Sequence, residues 1–247
     1  YSALLHESNR PARESAGERH SVFIDGEGRL WSCGTAPTFS PSLLGHGEGV
    51  LRLNTPTRLP SPLGGKRAVS VSAGLAHSLA ITADGAVWSW GYGGHGLLGH
   101  GDRQAQQLPK KVEAFAGQRV VAVSAGVYHS LVITADGSVW SWGGGGSGKL
   151  GHGDEQNQPL PKKVEAFVGQ PVVAVSAGGS HSLALTADGA VWSWGFGLYG
   201  WLGHGDWQNQ LLPRKVEALA GQRVAAVSAG GLHDRALAGD GCGWRWA

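Results

Sequence analysis

Val121-Ala122-Val123-Ser124-Ala125-Gly126-Val127-Tyr128-His129-Ser130-Leu131-Val132-Ile133-Thr134-Ala135-Asp136-Gly137-Ser138-Val139-Trp140-Ser141-Trp142-Gly143 is the stretch that decides the fold. From Val121 to Ala125 apolar residues alternate with small or polar ones, the period-2 pattern of a half-buried strand, and His129 to Thr134 alternates again. Asp136-Gly137 predicts a tight hairpin in which both central residues take positive φ, and Ser138 to Trp142 returns as a third strand with Trp140 and Trp142 on one face. A glycine-rich loop follows through Leu150-Gly151-His152-Gly153. Pro161 to Phe167, carrying Lys162, Lys163 and Glu165, then reads as a fourth strand whose leading proline suits an edge.

The same string recurs on both sides. His77, His129, His181 and His233 are 52 residues apart, as are Trp88, Trp140, Trp192 and Trp244, and Leu-Gly-His-Gly tetrads begin at Leu98, Leu150 and Leu202. A looser copy, offset by five extra residues, carries Ser15-Ala16-Gly17, His20, Trp31 and Leu44-Gly45-His46-Gly47. Five units result, spanning about 12–66, 67–118, 119–170, 171–222, and 223–247 together with 1–11. Four antiparallel strands per unit, repeated without helical segments, predict an all-β propeller in which each sheet buries its faces against its neighbours. The last unit stops after its third strand. Tyr1 to Glu7 is therefore expected to supply the missing fourth strand beside Trp244 and close the ring, since an unpaired final sheet leaves backbone groups open to water.

Composition agrees with many short strands and tight turns: of 247 residues 42 are glycine and 11 tryptophan, and only 15% are charged. A formal charge of +2, from 20 basic and 18 acidic residues, provides no bulk field for nucleic acid or an anionic membrane. No apolar run reaches the length of a membrane span, and residues 1–20 lack the apolar stretch of a secretory signal. The chain reads as soluble, with an intracellular setting favoured. It contains no methionine, which fits a processed form, an excised domain or a fragment. Cys33 and Cys242 are too few for a disulfide framework. In the repeat register they sit four residues apart along one strand, about 13 Å, too far for a bond between neighbouring strands.

The string Val123 to Gly143, with Leu150 to Pro161, resembles the repeat of the regulator of chromosome condensation family, and three units match it almost residue for residue. The resemblance covers nearly the whole chain. Known members typically form seven-bladed propellers, so five units imply either a five-bladed ring or part of a larger one. The founding member exchanges nucleotide on a small GTPase and binds chromatin, using a wedge that projects from one blade. Units two to four here have no insertion that could form such a wedge. A light-sensing member carries its tryptophans in a Gly-Trp-Arg-His-Thr motif. The matching positions here read Gly74-Leu75-Ala76-His77-Ser78, Gly126-Val127-Tyr128-His129-Ser130 and Gly178-Gly179-Ser180-His181-Ser182. Gly243-Trp244-Arg245 looks like that motif but lies in the third-strand register.

Eleven histidines invite a metal or catalytic reading, yet most occupy two repeated slots, those of His129 and His152. A residue repeated in every blade suits a structural role, bonding strand or loop carbonyls. Asp102, Asp154 and Asp206 follow the glycine-histidine-glycine run and suit turns for the same reason. Gly143 to Gly146 lacks the lysine-serine or lysine-threonine pair of a phosphate loop. No catalytic residue, metal or cofactor is expected.

The differences among copies are more informative. After the third strand, unit two has Tyr92, His95 and Leu97; unit three has glycines, Ser147 and Lys149; unit four has Phe196, Leu198, Tyr199 and Trp201. The next variable slot holds Arg103, Glu155 or Trp207. Loops tolerate change, so these aromatics fold either onto their own blade or onto a partner. Unit three builds the same blade without them, which favours contact. Tyr92, His95, Phe196, Leu198, Tyr199, Trp201 and Trp207 are the expected partner-binding residues. The basic pairs Lys110-Lys111, Lys162-Lys163 and Arg214-Lys215 stand beside Glu113, Glu165 and Glu217 and suit a solvated outer edge. The expected function is a non-enzymatic protein-interaction module, with regulation of a small GTPase or of chromatin as the alternative that the family resemblance implies.

Overall fold

The computed structural model describes residues 12–60, 63–231 and 233–246. Blade one contains β1 (Glu14–Ala16), β2 (His20–Ile24), β3 (Leu30–Thr35) and β4 (Arg52–Arg58). Blade two contains β5 (Ala68–Ala73), β6 (His77–Thr82), β7 (Val87–Gly91) and β8 (Gln106–Lys111). Blade three follows with β9 (Val120–Ala125), β10 (His129–Thr134), β11 (Val139–Gly143) and β12 (Gln158–Lys163), and blade four with β13 (Val172–Ala177), β14 (His181–Thr186), β15 (Val191–Gly195) and β16 (Gln210–Lys215). Blade five has three strands among the described residues, β17 (Val224–Ala229), β18 (Asp234–Ala238) and β19 (Gly243–Trp246). Every sheet is an antiparallel meander in chain order. The closing strand expected from Tyr1 to Glu7 lies outside the described residues.

Three local expectations are corrected. The strand of His129 to Thr134 is buried on both faces, not one, because a blade sits on either side of it; β6 and β14 are buried throughout in the same way. In the hairpin, Gly137 alone takes a positive φ, of 81°. The Asp136 carboxylate instead accepts from Thr134 Oγ1 at 2.6 Å and from the Ser138 amide at 3.1 Å, which orders the turn without a left-handed aspartate. The fourth strand runs from Gln158 to Lys163, so Pro161 lies inside it, and Glu165–Phe167 forms a 3-10 turn that tucks Phe167 beneath Trp192 and Trp194. A strand with only one neighbour accepts an internal proline because its outward N–H positions need no partner.

The core lies in the joints between blades. Leu79, Ile81 and Val87 of blade two pack with Ala125, Val132 and Trp142 of blade three, and Phe115 caps the joint. Leu131, Ile133 and Val139 meet Ala177, Ala184 and Trp194 in the same manner. The inner tryptophans Trp90, Trp142 and Trp194 are wholly buried, while Trp88, Trp140 and Trp192, the outer members of each pair, are half-buried opposite Lys111, Lys163 and Lys215. Blade five breaks the pattern: Leu237 is 47% exposed, whereas Leu185, its counterpart in blade four, is 2% exposed.

Candidate interaction site

Four histidines of the first repeated slot, His20, His77, His129 and His181, bridge to the next blade. Nε2 of His20, His77 and His129 lies 2.7, 2.9 and 2.8 Å from Oγ of Ser78, Ser130 and Ser182. Ser130 and Ser182 donate onward to the carbonyls of Leu97 and Lys149, so each accepts from a histidine Nε2–H. Burial holds these imidazoles neutral, pushing His20 down to about 4, His77 to about 3 and His129 well below its usual range. The partners are hydroxyls of a neighbouring blade, not the carbonyls the sequence suggested. The fourth bridge differs: His181 Nε2 donates to Asp234 Oδ1 at 2.6 Å, and burial pushes that carboxyl upward despite the histidine.

Histidines of the second slot serve their own blade. His46, His100, His152 and His204 bond Ser32, Ser89, Ser141 and Ser193, whose hydroxyls donate to the leucine carbonyls of the Leu-Gly-His-Gly tetrads at 2.6–2.8 Å. Asp102, Asp154 and Asp206 accept from the amides two residues on, as turn-forming aspartates do. Cys33 and Cys242 are both free thiols. Among the described residues, no group of three histidine, cysteine or carboxylate side chains is arranged to hold a metal.

These bonds organise the end of the propeller where the variable loops emerge. In blade four, Phe196 and Trp201 pack at 5.2 Å between ring centroids, Tyr199 lies 6.2 Å from Trp201, and Trp207 lies 6.3 Å from Tyr199. The four rings form a continuous array. Its base is anchored, since Trp201 also packs on His181 and its carbonyl accepts from Trp246 Nε1 at 3.0 Å. Its tip is open: Tyr199 is 68% and Trp207 64% exposed, and Leu198 beside them is exposed too. Tyr199 holds a φ of 61°, the left-handed region that costs a bulky side chain about 1 kcal/mol or more. His95 and Ser147 occupy the same strained slot in blades two and three.

The two residues expected in blade two are not part of this array. Tyr92 packs edge-on against Phe39 of blade one at 6.1 Å, and His95 against Tyr128 of blade three at 5.8 Å. Both partners are exposed. Sequence reasoning missed Phe39 and Tyr128 because they lie outside the loop that was compared, Phe39 in the irregular first copy and Tyr128 between the first two strands. The seven expected residues thus divide into a five-residue group on blade four and two inter-blade pairs on blade two.

A succession of antiparallel meander blades, joined by histidine bridges and carrying varied loops at one end, is a β-propeller of the tandem-repeat kind. The chain belongs to the RCC1-like domain family, whose model matches residues 4–246. Human E3 ubiquitin-protein ligase HERC2 is 40% identical over 99% of this chain, which covers 5% of that protein. The Arabidopsis thaliana ultraviolet-B receptor UVR8 is 38% identical over 82% of this chain and 46% of its own length. Among solved structures, human WBSCR16 superposes with a TM-score of 0.82 at 26% identity, covering 92% of this chain and 57% of that one. Prp20p of Saccharomyces cerevisiae, described with its binding to Gsp1p and histones, gives 0.76 at 25% identity, covering 88% and 53%. The chain thus spans about half, or far less, of these relatives.

Proposed function

We propose that this chain is a non-enzymatic protein-interaction module whose partner seats on the blade-four loop. The observation that carries this reading is the aromatic array with its open tip of Tyr199 and Trp207, where the equivalent loop of blade three is glycine, serine and lysine. Exposed rings of this size would bury large areas on contact and suit the centre of an interface. Family membership supports a binding role, because the RCC1-like relative Prp20p is described as binding Gsp1p and histones.

A second reading, regulation of a small GTPase or of chromatin, is favoured by that same relative. The two are separated by one pair of measurements. Tyr199→Gly with Trp207→Ala should abolish recovery of the partner that co-purifies with the wild-type chain, while Ser147→Gly in blade three leaves it unchanged. Nucleotide release from small GTPases should show no acceleration. Acceleration that survives the double variant would replace the first reading with the second.

A further inference from the structure

Lys149 puts a charge where the neighbouring blades have none. At the close of the loop after the third strand it occupies the slot of Leu97 in blade two and Trp201 in blade four, and it is only 7% exposed. Lysines this deeply buried are rare unless paired, because taking an ammonium out of water is costly. Its Nζ donates to the Gly146 carbonyl at 2.7 Å, which uses one of three N–H donors. Among the described residues it forms no ion pair. Glu155 of the same loop is exposed and acts on it only from beyond contact, while burial pushes the amine below its usual range. Leu97, wholly buried in the same slot, shows that folding does not require a charge there.

The backbone beneath this charge is tied to blade four. The Lys149 carbonyl accepts from Ser182 Oγ at 2.8 Å and from Trp194 Nε1 at 2.9 Å. A Cβ built on Gly195, the residue before Phe196 of the aromatic array, would stand 3.2 Å from Lys149 Cα. At the other end of the loop, a Cβ on Gly144 would stand 3.4 Å from that of Tyr128 and 3.7 Å from that of His95. The bare loop of blade three thus lies between the two groups of exposed rings, and Gly146, to which the ammonium is bonded, is itself exposed. We infer that Lys149 seats one carboxylate of the protein partner beside the aromatic array, an inference that rests on blade four being the partner site. One carboxylate neutralises one ammonium and accepts from its two remaining N–H groups, whereas a phosphate dianion would leave net negative charge in the slot near Glu155. Gly144, Gly146 and Ser147 leave the approach clear at the positions where blade four has Phe196, Leu198 and Tyr199.

The test titrates the whole ¹⁵N-labelled chain with N-acetyl-glutamate amide, a lone side-chain carboxylate, at constant ionic strength. Saturable shifts are expected at the amides of Gly146 and Ser147, and none with N-acetyl-glutamine amide. Affinity should fall at least tenfold in Lys149→Leu, which takes the residue of blade two and should unfold at or above the wild-type temperature. Should that variant unfold earlier, Lys149→Met removes the charge at nearly the same length. Tyr199→Gly with Trp207→Ala should leave the glutamate shifts unchanged while abolishing recovery of the co-purifying partner. Lys149→Leu should weaken that recovery at least tenfold. Recovery lost in the aromatic variant but intact in Lys149→Leu would overturn this inference and leave the partner site standing. Absent shifts, shifts that persist in Lys149→Leu, or shifts equal for glutamine would also overturn it. So would tighter binding of inorganic phosphate than of glutamate through Lys149, which would assign the slot to a phosphate.

Discussion

Three histidines, His20, His77 and His129, set the acid tolerance of this propeller, because burial inside a joint holds each of them neutral. Protonation is free to occur in the unfolded chain below about pH 6.5, whereas His20 and His77 resist it until about pH 4 and 3 in the fold. The unfolded state therefore binds more protons across that window, and stability falls as pH is lowered through it. Between pH 7 and pH 5 each fully neutral histidine contributes a loss of about 2 kcal/mol. Urea unfolding at the two pH values should show the difference, and His77→Gln should reduce it by about that amount. An unchanged difference would remove His77 from the joint's acid response. The link to Asp234 puts a carboxyl where the other three joints have a hydroxyl, so Asp234→Ser should rebuild the histidine–serine bridge that those joints use.

At the scale of strands and turns, the blade-four loop separates what holds the fold from what is free to bind. Phe167 sits against both tryptophans of blade four, with centroids 5.6 and 5.8 Å away, and Phe167→Ala should cost about 3 kcal/mol in chemical denaturation by leaving a cavity there. Tyr199→Gly should be neutral or up to about 1 kcal/mol stabilising, since glycine accepts the left-handed conformation without penalty. A matching loss at position 199 would place that ring in the core. Trp201 is a poorer probe than Trp207, being half-buried on His181 and tied to Trp246. The strands were legible because His129, Trp140 and Trp142 recur at fixed spacing. Which aromatics reach solvent was not, because the left-handed turn recurs in blades two to four beneath unlike side chains, His95, Ser147 and Tyr199, so residue type neither marks the turn nor says which way its side chain points. The double-sided burial of β10 was hidden for a related reason: Ser130 reads as a solvent-facing residue until the histidine of another blade is placed against it.

Taken as a whole molecule, the chain buries its middle blade more completely than blade five. Blade three is covered on both faces, whereas blade five keeps Leu237 in solvent and has three strands among the described residues. Native-state hydrogen exchange should therefore release the amides of β17, β18 and β19 before those of β9, β10 and β11. Equal protection would mean that the propeller opens only as one unit. The joints themselves allow a different manipulation. Ser72 accepts from the Ala125 amide as Ser124 does from that of Ala177, and the Gly101 amide donates to Pro159 as Gly153 does to Leu211. Excising residues 119–170 would thus bring His77 opposite Ser182, Ser72 opposite Ala177 and Gly101 opposite Leu211, every donor meeting its usual acceptor. The shortened chain should fold with cooperative thermal unfolding, and aggregation on expression would refute the equivalence. Misaligned recombination between copies in such a gene yields a protein whose parts still mate, so the number of blades can be counted up or down by heredity without any joint being reinvented.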